Sequence, residues 1–178
     1  VIYLSIDNKL IGYVALSDIL REEAKEVISY IKSQKINPVM LTGDNKNSAQ
    51  NIANIVGIDD IHPSLLPEDK MNIIKNLEDS KSQTCMIGDG VNDALALKYS
   101  SVGISMGTIG SDIAIEASDI ALASDDIKNI PYLLYLSQKT MKTIKLNVTF
   151  SLALNFLAII LAMTGILNPV VGALVHNL

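Results

Sequence analysis

The chain has a single cysteine, Cys85, which excludes an internal disulfide and a zinc centre built on several thiolates, and which suits a reducing compartment. It is also short of positive charge. The formal net charge is −5 and no basic run is interleaved with aromatic residues, so the footprint of a nucleic-acid-binding surface is missing. From Leu146 to Leu178, 33 residues pass without Asp, Glu, Lys or Arg. The composition therefore divides into an acidic, water-soluble part and a membrane part. No initiator methionine, basic leader or cleavage-like site opens the chain, and both ends fall inside apolar runs. Both ends are expected to be cuts in a larger polypeptide.

What is present is a hydrophobic content of 49%, enough for a genuine core, arranged as short β-rich runs alternating with amphipathic helical patterns. That alternation predicts an α/β fold with a Rossmann-like parallel sheet. Strands are expected at Gly12 to Ser17, Val39 to Leu41, within Asp59 to Leu66, at Thr84 to Ile87, Val102 to Met106 and Ile120 to Ala123. Between them, Ala24, Val27, Ile28 and Ile31 recur at helical spacing behind an N-cap at Asp18, and Ala49, Ile52, Ala53 and Val56 do so ahead of a stop at Gly57. Pro67 starts a helix carrying Lys70, Met71, Ile74 and Leu77. Short helices are expected at Ala94 to Tyr99 and Ile113 to Ala117. Asp125 and Asp126 are expected to cap a long helix that runs to Lys145.

Val148 to Leu167 is a run of 20 uncharged residues, long enough to cross a hydrocarbon core of about 30 Å at about 1.5 Å per residue. Lys139, Lys142 and Lys145 precede this span and no charge follows it, which places residues 1–145 on the cytoplasmic side. The division expected is therefore 1–125 for the α/β part, 126–147 for a connecting helix, 148–167 for a transmembrane helix, and 170–178 for the start of another.

The chemistry concentrates in Gly88-Asp89-Gly90-Val91-Asn92-Asp93, two carboxylates and an amide within five residues directly after a predicted strand. Oxygen donors suit a hard cation such as magnesium, and the glycines let the backbone turn to aim them. The loop lacks the ligand spacing and terminal Glu of an EF-hand. Thr42-Gly43-Asp44 follows another strand, and Lys70 stands at a helix start. A hydroxyl, a lysine and a carboxylate pair, each following a strand or opening a helix, form one phosphate-directed pattern. Cys85 and the methionines 71, 86, 106 and 141 read as core packing, and His62 as a loop residue.

In this order the motifs resemble those of P-type ATPases, whose phosphorylation domain is of haloacid dehalogenase type: Thr-Gly-Asp at 42–44, Leu-Pro-Glu-Asp-Lys at 66–70, Gly-Asp-Gly-Val-Asn-Asp-Ala at 88–94, and Met-Gly-x-x-Gly-Ser-Asp at 106–112. The resemblance spans essentially the whole chain. It implies an ATP- and Mg2+-dependent enzyme that forms an aspartyl phosphate and drives an ion across the membrane. Thr42 would hydrogen-bond the transferred phosphoryl group, with Gly43 beside it and Asp44 on the nucleotide side. Lys70 would neutralise phosphoryl charge. Asp89 and Asp93 would hold Mg2+, with Asn92 completing the loop's contacts. The family's Ala-Pro-Ala-Leu is Ala94-Leu95-Ala96-Leu97 here, which removes no reactive group. The Asp-Lys-Thr-Gly-Thr segment that carries the phosphorylated aspartate is not in this sequence, so the chain by itself is expected to be inactive.

The arrangement after Lys145 resembles the heavy-metal branch, a multi-pass pump of the prokaryotic plasma membrane moving Zn, Cd, Co, Cu or a similar ion. Candidate transported-ion residues are Asn155, His176 and Asn177, with an interhelical hydrogen bond as the other reading of Asn155 and an interfacial position as that of His176. The lysine and aspartate typical of zinc and cadmium pumps are not found in these spans. A membrane-anchored phosphatase of the haloacid dehalogenase type is the alternative function. Remaining partners would be the lipid membrane and the ATP-binding and upstream membrane parts of the same polypeptide.

Overall fold

The computed structural model describes residues 2–14, 20–88, 91–106, 112–124 and 126–165. The chain divides into two compact units, Val1–Asn129 and Ile130–Leu178.

The first unit opens with an antiparallel hairpin, β1 (Ile2–Ile6) and β2 (Lys9–Val14). Its two-residue turn is Asp7-Asn8, both at positive φ (47° and 60°), the conformation a tight hairpin requires and one that Asp and Asn tolerate. The apolar spacing alone predicted a strand from Gly12 to Ser17; the observed strand starts earlier because it pairs with β1. The expected cap Asp18 lies outside the described residues, and α1 (Ala24–Ser33) is preceded by Glu23.

From there strands and helices alternate: β3 (Val39–Leu41), α2 (Lys46–Val56), β4 (Asp60–His62), α3 (Pro67–Asp79), β5 (Cys85–Gly88), a single 3-10 turn (Val91–Asp93), α4 (Ala94–Tyr99), β6 (Val102–Met106), α5 (Asp112–Ala117) and β7 (Ile120–Leu122). The expected parallel pairing is observed. β3 pairs β4 with Leu41 opposite His62, and β5 pairs β6, which pairs β7, with Gly88 opposite Ser105 and Met106 opposite Leu122. Among the described residues these are two hydrogen-bonded pieces rather than one continuous sheet. They share a core, because Leu41 of β3 packs on the cluster of Ile74, Met86, Ala96 and Leu97 drawn from α3, β5 and α4.

Local sequence explains the helix ends. The Asn45 side chain accepts from Ser48 N at 3.0 Å to cap α2, and Gly57 ends it at φ +82°. Pro67 is the first residue of α3, and Asp69 Oδ2 accepts from Leu66 N at 2.9 Å, tying the entry of that helix. Ser105, buried on β6, is satisfied by the Ser118 hydroxyl at 2.9 Å.

Three expectations need correction. Cys85 is exposed at the start of β5, since residues 86 and 88 take the buried positions of that strand. His62 is the last residue of β4, with Nε2 3.1 Å from Asp60 Oδ1 two residues earlier on the same strand face. Met141 is exposed, whereas Met86 and Met106 are buried as expected.

The long helix α6 runs unbroken from Asn129 to Met163, across the expected boundary between a connecting helix and a span. Asp126 precedes it, accepting from Lys128 N through its carboxylate (2.9 Å) and from Asn129 N through its carbonyl (3.1 Å). Asp125 lies outside the described residues. Among the described residues α6 is one helix long and apolar enough to cross a membrane.

Candidate active site

The candidate residues lie in the loops that leave the C-terminal ends of parallel strands β3, β4 and β5, where open α/β sheets place their ligands. Backbone hydrogen bonds join the first two loops. Thr42 N donates to His62 O (3.1 Å), Leu65 N to Thr42 O (3.0 Å) and Ser64 N to Asp44 O (2.7 Å). Within Thr42-Gly43-Asp44, the Thr42 hydroxyl donates to Asp44 Oδ2 at 3.0 Å and accepts from Asp44 N at 3.1 Å. Thr42 is half-buried, and Gly43 and Asp44 are exposed. Leu65 leads directly through Leu66 to Pro67, so the threonine loop is tied to the residues that launch α3.

Lys70, in the first turn of α3, reaches across to the third loop. Its Nζ donates to Asp93 Oδ1 at 2.8 Å, and only 14% and 12% of the two side chains are exposed. An ammonium gains nothing from the positive end of a helix, and both charges have left water, so the pair holds only because each compensates the other. Removing one partner would strand the other.

Asp93 ends the 3-10 turn and stands immediately before α4, yet its side chain makes no capping bond to that helix. It turns instead over the end of β5. A Cβ on Gly88 would lie 2.7 Å from Asp93 Cβ and 2.9 Å from its Oδ2, so only glycine leaves room for the carboxylate. The motif's glycines were expected to supply a turn; Gly88 supplies a close approach.

Asn92 is exposed in the same turn. Asp89 lies outside the described residues, as do His176 and Asn177, while Asn155 is half-buried on α6. The structure thus brings Lys70 to Asp93 and Thr42 to Asp44, and links the threonine loop to α3 through Leu65. Among the described residues, no three His, Cys, Asp or Glu side chains gather into a metal centre. The donors offered by this loop are carboxylate and amide oxygens, a set that fits Mg2+ and not a thiophilic metal.

The sequence reading passed over Glu78. Its signal was an acidic residue near a helix C-terminus that has no basic residue in its last turn, a position the helix dipole disfavours unless tertiary partners compensate.

The sequence profile of the haloacid dehalogenase-like hydrolases matches residues 2–100. A cadmium-transporting ATPase of Staphylococcus aureus is 42% identical over 163 residues, covering 91% of this chain and 22% of that protein. A copper-exporting P-type ATPase of Staphylococcus haemolyticus is 42% identical over 169 residues, covering 95% of this chain and 21% of that protein. Among solved structures, a zinc-transporting PIB-type ATPase in its E2.Pi state aligns with a TM-score of 0.86 at 32% identity, covering 96% of this chain and 28% of that one. The chain thus spans roughly a fifth of the length of these transporting relatives. With the profile match over more than half its residues and a site built at the matching strand ends, the chain belongs to the haloacid dehalogenase-like hydrolase family.

Proposed function

We propose that this chain is the magnesium- and phosphate-binding part of the phosphorylation domain of a heavy-metal-transporting P-type ATPase, joined to the membrane helix that follows it. The observation that carries the reading is the largely buried Lys70–Asp93 pair at the strand ends, in a chain whose relatives are metal-transporting ATPases. The phosphorylated aspartate and the ATP-binding region would belong to parts of the polypeptide outside this sequence.

Phosphoryl transfer asks little covalent chemistry of a protein and much positioning and charge compensation. Lys70 supplies a fixed cation. At about 4 Å from a phosphoryl oxygen it contributes on the order of 4 kcal/mol at an effective dielectric near 20. The Thr42 hydroxyl, now held by Asp44, is free to rotate its proton toward a phosphoryl oxygen. Gly43 keeps that approach open, and Asp44 faces the nucleotide. Asp89 and Asp93, with Asn92 beside them, would hold Mg2+, which neutralises phosphate charge when bound. Asp93, already paired with Lys70, would then share its carboxylate between the ammonium and the ion.

Residues 1–125 form the cytoplasmic catalytic part, 126–147 the connection, 148–167 the span and 170–178 the start of a further span. Because α6 is continuous, its 35 residues make a rod of about 52 Å, of which the uncharged run 146–163 supplies about 27 Å toward a bilayer core of about 30 Å. The remainder stands on the cytoplasmic side and carries Lys139, Lys142 and Lys145. Asn155, His176 and Asn177 are the candidates for the path of a Zn, Cd, Co or Cu ion.

The test is phosphoenzyme formation from γ-labelled ATP by the full-length protein in membranes. Lys70→Ala is expected to slow it about a thousandfold, the loss of roughly 4 kcal/mol of transition-state stabilisation. Labelling of that variant at the normal rate would overturn the assignment.

A further inference from the structure

We propose that Glu78 is a positioning residue for Lys70: it fastens the far end of α3 to the starts of β5 and β6, so that the near end of the same helix presents its ammonium to Asp93. The inference rests on the reading of Lys70 given above only for its effect on catalysis; the geometry stands without it.

The Glu78 carboxylate collects donors from two separate strands. Oε1 accepts from Thr84 N (2.9 Å), from the Thr84 hydroxyl, from Ser101 N (2.9 Å) and from the Ser101 hydroxyl (2.8 Å), and Oε2 also accepts from Ser101 Oγ (2.8 Å). Thr84 is the residue before β5 and Ser101 the residue before β6, and Val102 N donates to Thr84 O at 3.1 Å. One side chain therefore joins a helix end to the entry of two paired strands. These donors hold the carboxyl at about 2, well below the usual value, with the Thr84 and Ser101 hydroxyls the largest contributions.

The spacing turns that tie into a ruler. Lys70, Ile74 and Glu78 stand at intervals of four on one face of α3, and Ile74 in the middle is buried against Met86, Ala96 and Leu97. From Lys70 to Glu78 the helix rises about 12 Å, and from Thr84 to Gly88 the strand advances about 13 Å. The two segments have matched lengths. At one end Glu78 meets Thr84; at the other Lys70 meets Asp93, whose side chain lies over Gly88. With both ends held and an apolar contact between them, α3 cannot slide along β5. A slip by one residue would carry Lys70 about 1.5 Å.

The experiment uses the full-length protein and two readouts. The first is acylation of lysine amines by an acetylating reagent, quantified by mass spectrometry. In Glu78→Ala the acylation of Lys70 is expected to rise severalfold, while exposed Lys25 and Lys75 react as before. The second is the rate of phosphoenzyme formation at saturating ATP, expected to fall about tenfold to a hundredfold, as for a displacement on the order of 1 Å, with KM for ATP unchanged. In a Lys70→Ala background the same substitution is expected to cost nothing further. Unchanged Lys70 acylation in folded Glu78→Ala overturns the inference. Raised acylation with an unchanged phosphorylation rate upholds it and overturns the catalytic reading of Lys70. If Glu78→Ala does not fold, Thr84→Val and Ser101→Ala remove donors one residue at a time; each is expected to raise Lys70 acylation, and no rise in either overturns the inference.

Discussion

In the cluster formed by α3, β5 and α4, Ile74, Met86, Ala96 and Leu97 are each 7% exposed or less, whereas along α6 Leu146, Phe150, Leu152, Phe156 and Met163 are each 64% exposed or more. Both regions are rich in apolar side chains. The first closes its surface with neighbours brought from three elements, and among the described residues no buried side-chain nitrogen or oxygen lacks a hydrogen-bond partner. The second is a single helix whose apolar residues ring it on all sides, so the period-3.6 face of a water-soluble helix is absent. The difference teaches that the same residue types can answer to two solvents. In the cluster, burial is achieved by folding; along α6, the proposed span would leave it to lipid.

Four variants would break or sharpen that contrast, the largest effect first. Gly88→Ala is expected to act as a loss of Asp93, because the added methyl takes the space of that carboxylate. Phosphoenzyme formation should slow about a hundredfold or more, as when one preorganised charge-stabilising group is removed, and rapid-quench labelling would measure it. The amount of protein inserted in the membrane should not change.

Next, Leu97→Ala should destabilise the first unit by about 2–5 kcal/mol, since the site is fully buried. Leu152→Ala on α6, in the same assay, should change it by no more than about 0.5 kcal/mol. Proteolysis of the full-length protein in graded urea, read at sites in each region, reports both. Equal effects would erase the distinction between the two regions.

The smallest effect is one of acidity. Glu78 has a depressed carboxyl in the folded protein, at about 2, against 4.5 ordinarily. The unfolded chain therefore takes up the proton first as pH falls, and the stability that this group contributes is complete above about 4.5 and lost toward 2. In Glu78→Gln the resistance to urea should be lower at neutral pH and should fall less between pH 5 and 3.

Much of the site was legible because its residues lie in short contiguous motifs whose order matched the order of the strand ends. The alternation of strand and helix was enough to set Thr42, Lys70 and Asp93 just beyond the ends of successive parallel strands. What stayed hidden depended on contacts distant in sequence. Glu78 reads as a solvated helix residue until Thr84 and Ser101, six and 23 positions away, are brought to it. The space over Gly88 is invisible because its occupant comes from a turn five residues later. In the fold, Ala94 to Tyr99 and Val102 to Met106 were read to the residue, since periodicity and turn residues agree there. The β1–β2 hairpin was missed although Asp7-Asn8 announces its turn; its strands expose apolar residues on both faces, so the alternation that marks a half-buried strand is lacking. Likewise, composition divided α6 at residue 147, but the helical backbone continues across that boundary.

The last feature to follow through is the end of α6. Thr164 N and Gly165 N donate back to Ile160 and Ala162, and Gly165 turns left-handed at φ +73°, so the helix stops there. Between that stop and Lys145 the uncharged helix is about 28 Å long at about 1.5 Å per residue. A helix longer than the hydrocarbon can absorb a change of bilayer thickness by tilting; one of this length has almost no excess to tilt away. In the span proposed for α6, a thicker membrane would therefore thin around the helix, and the elastic cost of that dimple would fall on the lipid and not on the protein.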